Sequence, residues 1–139
     1  MVMGEVRVRV TLTNVTDLGM LRRNLLKPAD VRKLEVDAMV DTGAVASVVP
    51  PAVADRLGLA RPFKHMVEYP DGRHEEVGVT EPLLFEFAGR QTHDDALVLG
   101  DEVIIGQTVL EKTDMYVDCT GRRLVPNPAH PDQPIVKIK

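Results

Sequence analysis

Alternation of apolar and polar residues dominates the chain and predicts strands that bury one face. Valines and a leucine alternate with arginines and a threonine through 6–12, and the same period of two runs through 34–40. Shorter apolar runs predict further strands, at 83–87, 96–99, 115–117 and, near the end of the chain, 135–138. So many strands with few helical stretches favour a small closed or rolled β structure over an alternating βαβ sheet.

Turn residues separate these predicted strands. Asp71-Gly72 predicts a tight hairpin in which both central residues tolerate a positive φ. Gly89 and Gly121 mark two further turns.

Two short helices are predicted, and two other segments are less regular. One helix begins at Pro51 and is capped by Gly58, and the second covers 107–112. Within the less regular segment 13–31, residues 18–26 favour either a helical turn or a loop. The four prolines within 126–134 exclude a central strand there, because proline has no N–H to donate to a ladder.

Composition and charge narrow the class of protein. The chain has 139 residues, 44% hydrophobic and 27% charged, which fits one globular domain that needs no metal or disulfide for stability. The net charge of −4 argues against a nucleic-acid-binding protein. Cys119 is the only cysteine, and no apolar run suits a membrane span or a signal peptide. We therefore expect a cytoplasmic protein with no membrane partner.

Most chemical information lies in the segment Asp41-Thr42-Gly43-Ala44, which follows an apolar strand. Glycine permits a sharp turn and lets backbone N–H groups approach the carboxylate. An aspartate in this position is more often only a turn or cap residue. The motif by itself therefore leaves both interpretations open.

A second segment, Ile104-Ile105-Gly106, carries two apolar residues and a glycine directly before the second predicted helix. Because glycine lacks a side chain, this segment can approach the Asp41 turn closely from below. Taken alone, the same residues are typical of any buried strand.

The order of these features resembles the retropepsin-like aspartic proteases. The residues that carry the resemblance are the motif at 41–44, the hairpin, and the segment 104–106 with a helix behind it. The likeness is to prokaryotic, single-domain, retroviral-type enzymes and not to the two-lobed pepsins. It implies an all-β fold, a small closed retropepsin-like barrel with one or two short helices. The implied single domain covers 1–139, with a core at about 32–119, an N-terminal strand and insertion at 1–31, and a Pro-rich tail at 126–139.

The resemblance implies a role for each matching residue of the motif. Asp41 corresponds to the catalytic aspartate, Thr42 to the threonine that hydrogen-bonds across a dimer axis, and Gly43 to the glycine that donates to the carboxylate. Ala44 matches the retroviral type and corresponds to a substrate-binding position.

The other matching segments have implied roles as well. Ile104, Ile105 and Gly106 correspond to the segment that supports the active loop. Tyr69 and Gly72 lie where a flap would cover a bound peptide, although a tyrosine on a hairpin surface is the alternative interpretation.

The resemblance implies an aspartic endopeptidase that acts on peptides or proteins without a metal or a cofactor. Such chemistry needs two carboxylates, and Asp101 lacks the Thr-Gly context of a second acid. A homodimer with one Asp41 from each subunit is therefore expected. The alternatives are an inactive or latent peptide-binding or structural module of the same fold, and a generic β domain whose motif arises by chance.

Several features depart from the retroviral pattern. Val45 and Ala46 stand where acidic residues often bind the substrate backbone, so peptide binding is expected to be altered. The insertion at 13–31 and the tail fall where a dimer contact would form. Residues 135–138 are expected either to supply an interface strand or to pair within their own subunit. The cluster at 93–95 places its side chains on alternate faces of a strand, which argues against a metal site.

Overall fold

The computed structural model describes residues 5–138, most of whose regular structure is β-strand. Residues 1–4 and 139, at the two ends of the predicted domain, lie outside the described residues. Within 5–138 there are a 3₁₀ turn at Pro28–Asp30 and three α-helices, namely α1 (Val15–Arg22), α2 (Pro51–Arg56) and α3 (Gln107–Thr113). The strands in the same range are β1 (Val6–Asn14), β2 (Lys33–Val40), β3 (Ser47–Val49), β4 (Phe63–Glu68), β5 (His74–Val79), β6 (Leu83–Phe87), β7 (Arg90–Asp94), β8 (Ala96–Val98), β9 (Val103–Ile105), β10 (Met115–Asp118) and β11 (Arg123–Pro126).

Nine of these strands form one curled sheet in the order β4-β5-β8-β3-β9-β2-β1-β6-β7. The strands β10 and β11 form a separate antiparallel pair. Most neighbours in the large sheet are antiparallel, but β9 runs parallel to β2, and β8 runs parallel to β3. The chain therefore leaves β2, makes a turn and re-enters the sheet as β3 on the other side of β9.

The long pair β1–β2 shows how the period of two works in this fold. Val10 is fully buried, whereas the neighbouring Arg7 and Arg9 point outward. Arg7 Nε lies 2.5 Å from Asp37 on β2, and Arg9 Nη2 lies 3.2 Å from Glu35. Exposed ion pairs of this kind add little stability, so burial of the apolar face is what fixes the register.

One cluster of buried apolar side chains joins the large sheet to α2, α3 and the β10–β11 pair. Val40 at the end of β2 and Ile105 in β9 both belong to it. The core therefore extends directly to the turn at Asp41. Among its largest fully buried side chains are Leu12, Leu57, Leu83, Phe85 and Ile105.

The two predicted helices are confirmed as α2 and α3. Gly58, at φ +63°, follows the end of α2 as predicted, and its N–H donates to the carbonyl of Asp55 at 3.0 Å. In residues 5–138, no helix combines the length and apolar character that a membrane crossing requires.

The segment 13–31 contains a helix, α1, which the hydrophobic pattern left undecided. Asn14 caps it by accepting the N–H of Asp17 at 2.9 Å. Asp17 is buried and makes two side-chain hydrogen bonds of 2.9 Å with Arg32, which lower the pKa of its carboxyl group. Contacts from outside the helix therefore stabilise it, not a strong apolar face of its own.

Within residues 5–138 the chain forms no strand at 135–138, and these residues pair with no other strand. The N–H of Ile135 donates to the carboxylate of Asp114 at 3.1 Å instead of joining a ladder. The side chains of Val136 and Ile138 are 61% and 92% exposed. Pairing within the same subunit is thereby excluded, and a strand contributed to a second subunit stays a prediction.

Candidate active site

Asp41 is the first residue after the buried end of β2. Its N–H donates to the carbonyl of Ile105 at 3.0 Å, and Val40 stands opposite Ile105 in the parallel β2–β9 pair. The aspartate is half-buried, whereas Thr42 and Gly43 are exposed. A rigid strand therefore carries the carboxylate to the surface of the molecule.

The segment Ile104–Ile105 lies between the strand that enters the motif and the strand that leaves it. Ile104 stands opposite Met39 in β2 and opposite Val48 in β3. Ile105 is fully buried, and Ile104 is half-buried. The structure thus brings the two segments singled out in the sequence into direct contact.

A tight turn holds the carboxylate of Asp41 from its own backbone. The N–H of Gly43 donates to Oδ1 of Asp41 at 2.9 Å, and the N–H of Ala44 donates to its carbonyl at 3.2 Å. A side chain on residue 43 would place its Cβ 3.2 Å from the same Oδ1. Glycine therefore permits the close approach that orients the carboxylate.

Gly106 makes the closest backbone approach in this region. A Cβ on residue 106 would lie 2.4 Å from the carbonyl oxygen of Ala46, which is fixed main chain and not a flexible side chain. The N–H of Gly106 donates to Oγ of the buried Ser47 at 2.9 Å. The absence of a side chain at position 106 is thus a steric requirement of the loop.

A surface groove of about 450 Å³ adjoins the exposed side of the motif. Thr42 forms one part of its lining, and Tyr116, which is 54% exposed, forms another. Its other lining residues come from α3 and β10, namely Gln107, Leu110, Glu111, Asp114, Met115 and Val117. The loop that carries Asp41 is therefore continuous with a partly apolar open surface.

The hairpin formed by β4 and β5 carries Tyr69 and Gly72 at its tip. The Tyr69 hydroxyl donates to Glu75, which raises the pKa of that hydroxyl, and the guanidinium of Arg73 lies 4.3 Å from the ring centre. These residues contact one another at the edge of the sheet, whereas Asp41 follows an interior strand. The structure does not place Tyr69 or Gly72 in the Asp41 turn.

The turn at this tip differs in detail from the one predicted. Pro70 and Asp71 are the central residues of the turn, and of its residues only Gly72, the last one, has a positive φ, at +85°. The ring of Pro70 fixes its own φ at a negative value. The N–H of Gly72 donates to the carbonyl of Tyr69 at 2.8 Å, and the N–H of Tyr69 donates to Arg73 at 2.8 Å. The hairpin is confirmed, but its turn has one left-handed residue and not two.

At the end of α3, Asp114 fixes the C-terminal segment. Its carboxylate accepts the side-chain N–H of Asn127 at 2.9 Å and the N–H of Ile135 at 3.1 Å, and it lies 2.7 Å from Nδ1 of His130. These contacts, that of Asn127 above all, hold the pKa of Asp114 at about 2. The buried Arg90 donates to the carbonyls of Asp114 and His130. The Pro-rich tail is therefore attached beside the groove.

Within the cluster at 93–95, Asp94 connects the end of β7 to α3. Asp94 accepts the hydroxyl of Thr108 at 2.8 Å and lies 3.5 Å from Nζ of Lys112. Across residues 5–138, no group of three His, Cys, Asp or Glu side chains is arranged to hold a metal ion. Cys119 is an exposed thiol, and Asp101 is exposed as well.

Sequence reasoning missed two residues that shape this site. Ser47 supports Gly106 through its hydroxyl, and Thr108 contacts the carbonyl of Val45 through both its N–H and its hydroxyl, each at 3.2 Å. A serine three residues after the motif is a weak signal, and a threonine at the start of a helix is an ordinary one. Their partners lie 59 and 63 positions away along the chain, which no local pattern reveals.

The sequence of this chain matches one protein-family profile. A sequence profile described as aspartyl protease matches residues 28–109, which is more than half of the chain. No curated protein matches the sequence.

Three solved structures resemble the chain. The retroviral protease-like domain of Ddi1 from Leishmania major has 21% identity and a TM-score of 0.55, over 88% of this chain and 90% of that one. The foamy viral protease-reverse transcriptase has 18% identity and a TM-score of 0.50, over 76% of this chain and 11% of that one. EIAV protease has 27% identity and a TM-score of 0.46, over 56% of this chain and 76% of that one. The likeness to the Ddi1 domain confirms the predicted retropepsin-like fold class.

Proposed function

Because this chain belongs to the aspartyl protease family, we propose that it is an aspartic endopeptidase in which Asp41 supplies the catalytic carboxylate. The family match and the retropepsin-like fold support a protease-type function. The assignment to Asp41 rests on the position and the hydrogen bonding of its carboxylate. Asp41 is half-buried at the end of a rigid strand, and its carboxylate accepts the N–H of Gly43 at 2.9 Å.

The proposed reaction needs an acid and a base at one centre. Two carboxylates held about 3 Å apart do not both ionise readily, so they share one proton, as is general for aspartic proteases. The charged carboxylate takes a proton from water, whose oxygen forms a bond to the scissile carbonyl carbon. The protonated carboxyl gives its proton to the carbonyl oxygen. Collapse of this tetrahedral species breaks the C–N bond. The nitrogen takes its proton from the carboxyl that received it from water, and a hydroxyl of the tetrahedral carbon returns a proton to the other carboxylate.

The second carboxylate is proposed to be Asp41 of another copy of the chain. A two-fold axis beside the motif would bring the same residue from each subunit to the same place. The exposure of Thr42 and Gly43 and the groove beside Thr42 support this arrangement, since they leave this side of the loop accessible to a partner. Residues 135–138, exposed and unpaired within their own chain, are proposed as part of the contact.

The substrate is proposed to be a peptide or protein segment that binds in an extended form. Extended peptides gain affinity from main-chain hydrogen bonds and specificity from their alternate side chains. Ala44, beside the carboxylate, is proposed to contact the substrate, and the hairpin tip with Tyr69 and Gly72 is proposed to cover it. Residues 1–139 are proposed to act as one protease domain with a core at about 32–119, since β1 pairs with β2 in the same sheet.

Asp41→Asn tests the assignment directly. The variant is expected to fold and assemble like the wild type, and to lose at least about a thousandfold in peptide cleavage, because the pair then lacks its acid–base function. Cleavage is measured on a peptide library by mass spectrometry. Asp101→Asn, at an exposed aspartate without the Thr-Gly context, is the matched control and is expected to stay within about twofold of wild type.

Mixed subunits test the shared site. When the wild type is refolded with a large excess of Asp41→Asn subunits, activity per wild-type subunit should fall towards zero, since most pairs then hold one carboxylate. Unchanged activity per wild-type subunit would show that one chain suffices. Wild-type protein that binds peptides but cleaves none would favour the alternative, a latent or inactive peptide-binding module.

A further inference from the structure

The first turn of α3 is capped by the loop that carries Asp41. The helix follows Gly106, which has no side chain to act as a cap. Instead, the N–H of Gln107 donates to the carbonyl of Ala44 at 2.8 Å, and the N–H of Thr108 donates to Val45 at 3.2 Å. The first N–H groups of a helix have no partner within the helix. Here the carbonyl groups of the loop supply those partners, so hydrogen bonds connect the loop to the helix.

The hydroxyl of Thr108 makes this junction a three-way contact. Its oxygen lies 3.2 Å from the carbonyl oxygen of Val45 and 2.8 Å from Oδ2 of Asp94 at the end of β7. A hydroxyl has one proton and donates to one acceptor at a time. The N–H of Thr108 therefore donates to the carbonyl of Val45, while the hydroxyl donates to Asp94, its nearer acceptor.

Asp94 is itself fixed from the same face of α3. Nζ of Lys112, four residues after Thr108, lies 3.5 Å from Oδ1 of Asp94 and donates to the carbonyl of His93 at 3.1 Å. The Asp94 side chain is only 16% exposed. One end of β7 thus anchors the start of the helix that caps the Asp41 loop.

We propose that Thr108 and Asp94 are positioning residues for the reaction assigned to Asp41. This inference rests on the proposed function. The loop is held at its start by the bond between the Asp41 N–H and Ile105, and at its end by the bonds from α3 to Ala44 and Val45. Loosening the end lets the carboxylate shift, and a paired acid–base centre tolerates little displacement.

Thr108→Val removes the hydroxyl at nearly constant volume and keeps the backbone bond to Val45. It is expected to lower kcat about tenfold with KM changed less than about twofold, since the reacting carboxylate is displaced and the outer binding contacts are not. Thr108→Ser, which restores the hydroxyl, is expected to recover most of kcat. Asp94→Asn is expected to fall between them, because an amide oxygen still accepts the hydroxyl without the charge.

Thr113→Val is the matched control on the same helix. The Thr113 hydroxyl is buried and donates to Val109 within α3 at 2.7 Å, and not to the loop. Its loss is expected to lower Tm while kcat stays within about twofold of wild type. If Thr108→Val keeps the wild-type kcat, or if Thr113→Val lowers kcat as much as Thr108→Val does, the positioning role is overturned.

Amide hydrogen exchange separates this inference from the proposed function. In Thr108→Val, the amides of Gly43, Ala44 and Gln107 should exchange faster than in wild type, whereas in Thr113→Val they should not. If wild type cleaves no peptide, the proposed function fails, and the exchange data still decide whether Thr108 fixes the loop. Equal exchange in the two valine variants would overturn the inference even in an active enzyme.

Discussion

The Asp41 turn and the tip of the β4–β5 hairpin share the same local hydrogen bond. In each, an aspartate accepts the N–H of the second residue after it at 2.9 Å, from Gly43 in one turn and from Arg73 in the other. Each turn also contains a glycine. Short-range sequence alone therefore does not distinguish a candidate catalytic loop from an ordinary surface turn.

The two turns differ in what holds them from outside. The Asp41 turn donates a hydrogen bond to β9 and accepts hydrogen bonds from α3, which both lie more than 60 positions further along the chain. The contacts of the hairpin tip, between Tyr69 and its neighbours Gly72, Arg73 and Glu75, span six positions or fewer. A carboxylate that must be positioned accurately against a second carboxylate needs contacts from distant parts of the chain, whereas a surface turn does not. Substitutions can disturb these two kinds of support separately.

The largest effect is expected at Gly106. Gly106→Ala would place a Cβ 2.4 Å from the Ala46 carbonyl oxygen, so β9 and the Asp41 loop must separate. We expect a loss of about 3 kcal/mol or more in the free energy of unfolding, measured by urea denaturation. Gly19→Ala in α1, where the nearest contact is a flexible arginine end at 3.5 Å, is the control. It should be neutral or slightly stabilising, and equal losses in both variants would refute the steric argument.

A second effect is expected at Asp114, where long-range contacts hold the tail. The pKa of about 2 lies below the ordinary value of 3.8, so the charged form is favoured in the folded state. Its contribution to stability is therefore complete above about pH 4 and is lost as the pH falls towards 2. Asp114→Asn removes the charge, and asparagine suits the left-handed backbone at φ +54°.

The measurement for Asp114 is the unfolding free energy of both proteins between pH 6 and pH 2. Wild type should be the more stable at pH 6, and the difference should shrink as the pH falls below 4. Limited proteolysis should cut the Asp114→Asn tail faster at neutral pH. Parallel acid profiles for the two proteins would contradict the assigned role of the carboxylate.

The local sequence pattern predicts those strands, turns and helices that neighbouring residues are sufficient to determine. The alternation at 6–12 and 34–40 marks β1 and β2 because one face of each strand is buried. The hairpins follow from their turn glycines, and α2 follows from Pro51 and the capping Gly58.

The segments that the local pattern left undecided depend on partners elsewhere in the sequence. The helix α1 relies on the contact of Asp17 with Arg32, and the tail relies on Asp114. The residues at 135–138 suit a strand by propensity, but no strand within the described residues 5–138 pairs with them. The same limit applies at the site, where the motif is visible in the sequence and the supports from Ser47 and Thr108 are not.

The smallest effect is expected at the hairpin tip and concerns Tyr69. Its hydroxyl donates to Glu75, so the pKa of Tyr69 is raised above the usual 10.0. A raised pKa means that the bond contributes to stability below about pH 10 and is lost as the pH rises through the folded-state value. Tyr69→Phe should change Tm by less than about 2 °C at pH 7, because the contact is local and solvent-accessible.

Absorbance titration can isolate this contact, since Tyr69 and Tyr116 are the only tyrosines. In Tyr116→Phe, the remaining tyrosine should ionise above pH 10, and adding Glu75→Gln should lower its midpoint, because the charged acceptor of the hydroxyl is then gone. Peptide cleavage in Tyr69→Phe separates the two interpretations of this residue. A raised KM would support a lid over the substrate, and unchanged kinetics would leave Tyr69 as a surface residue of a locally held turn.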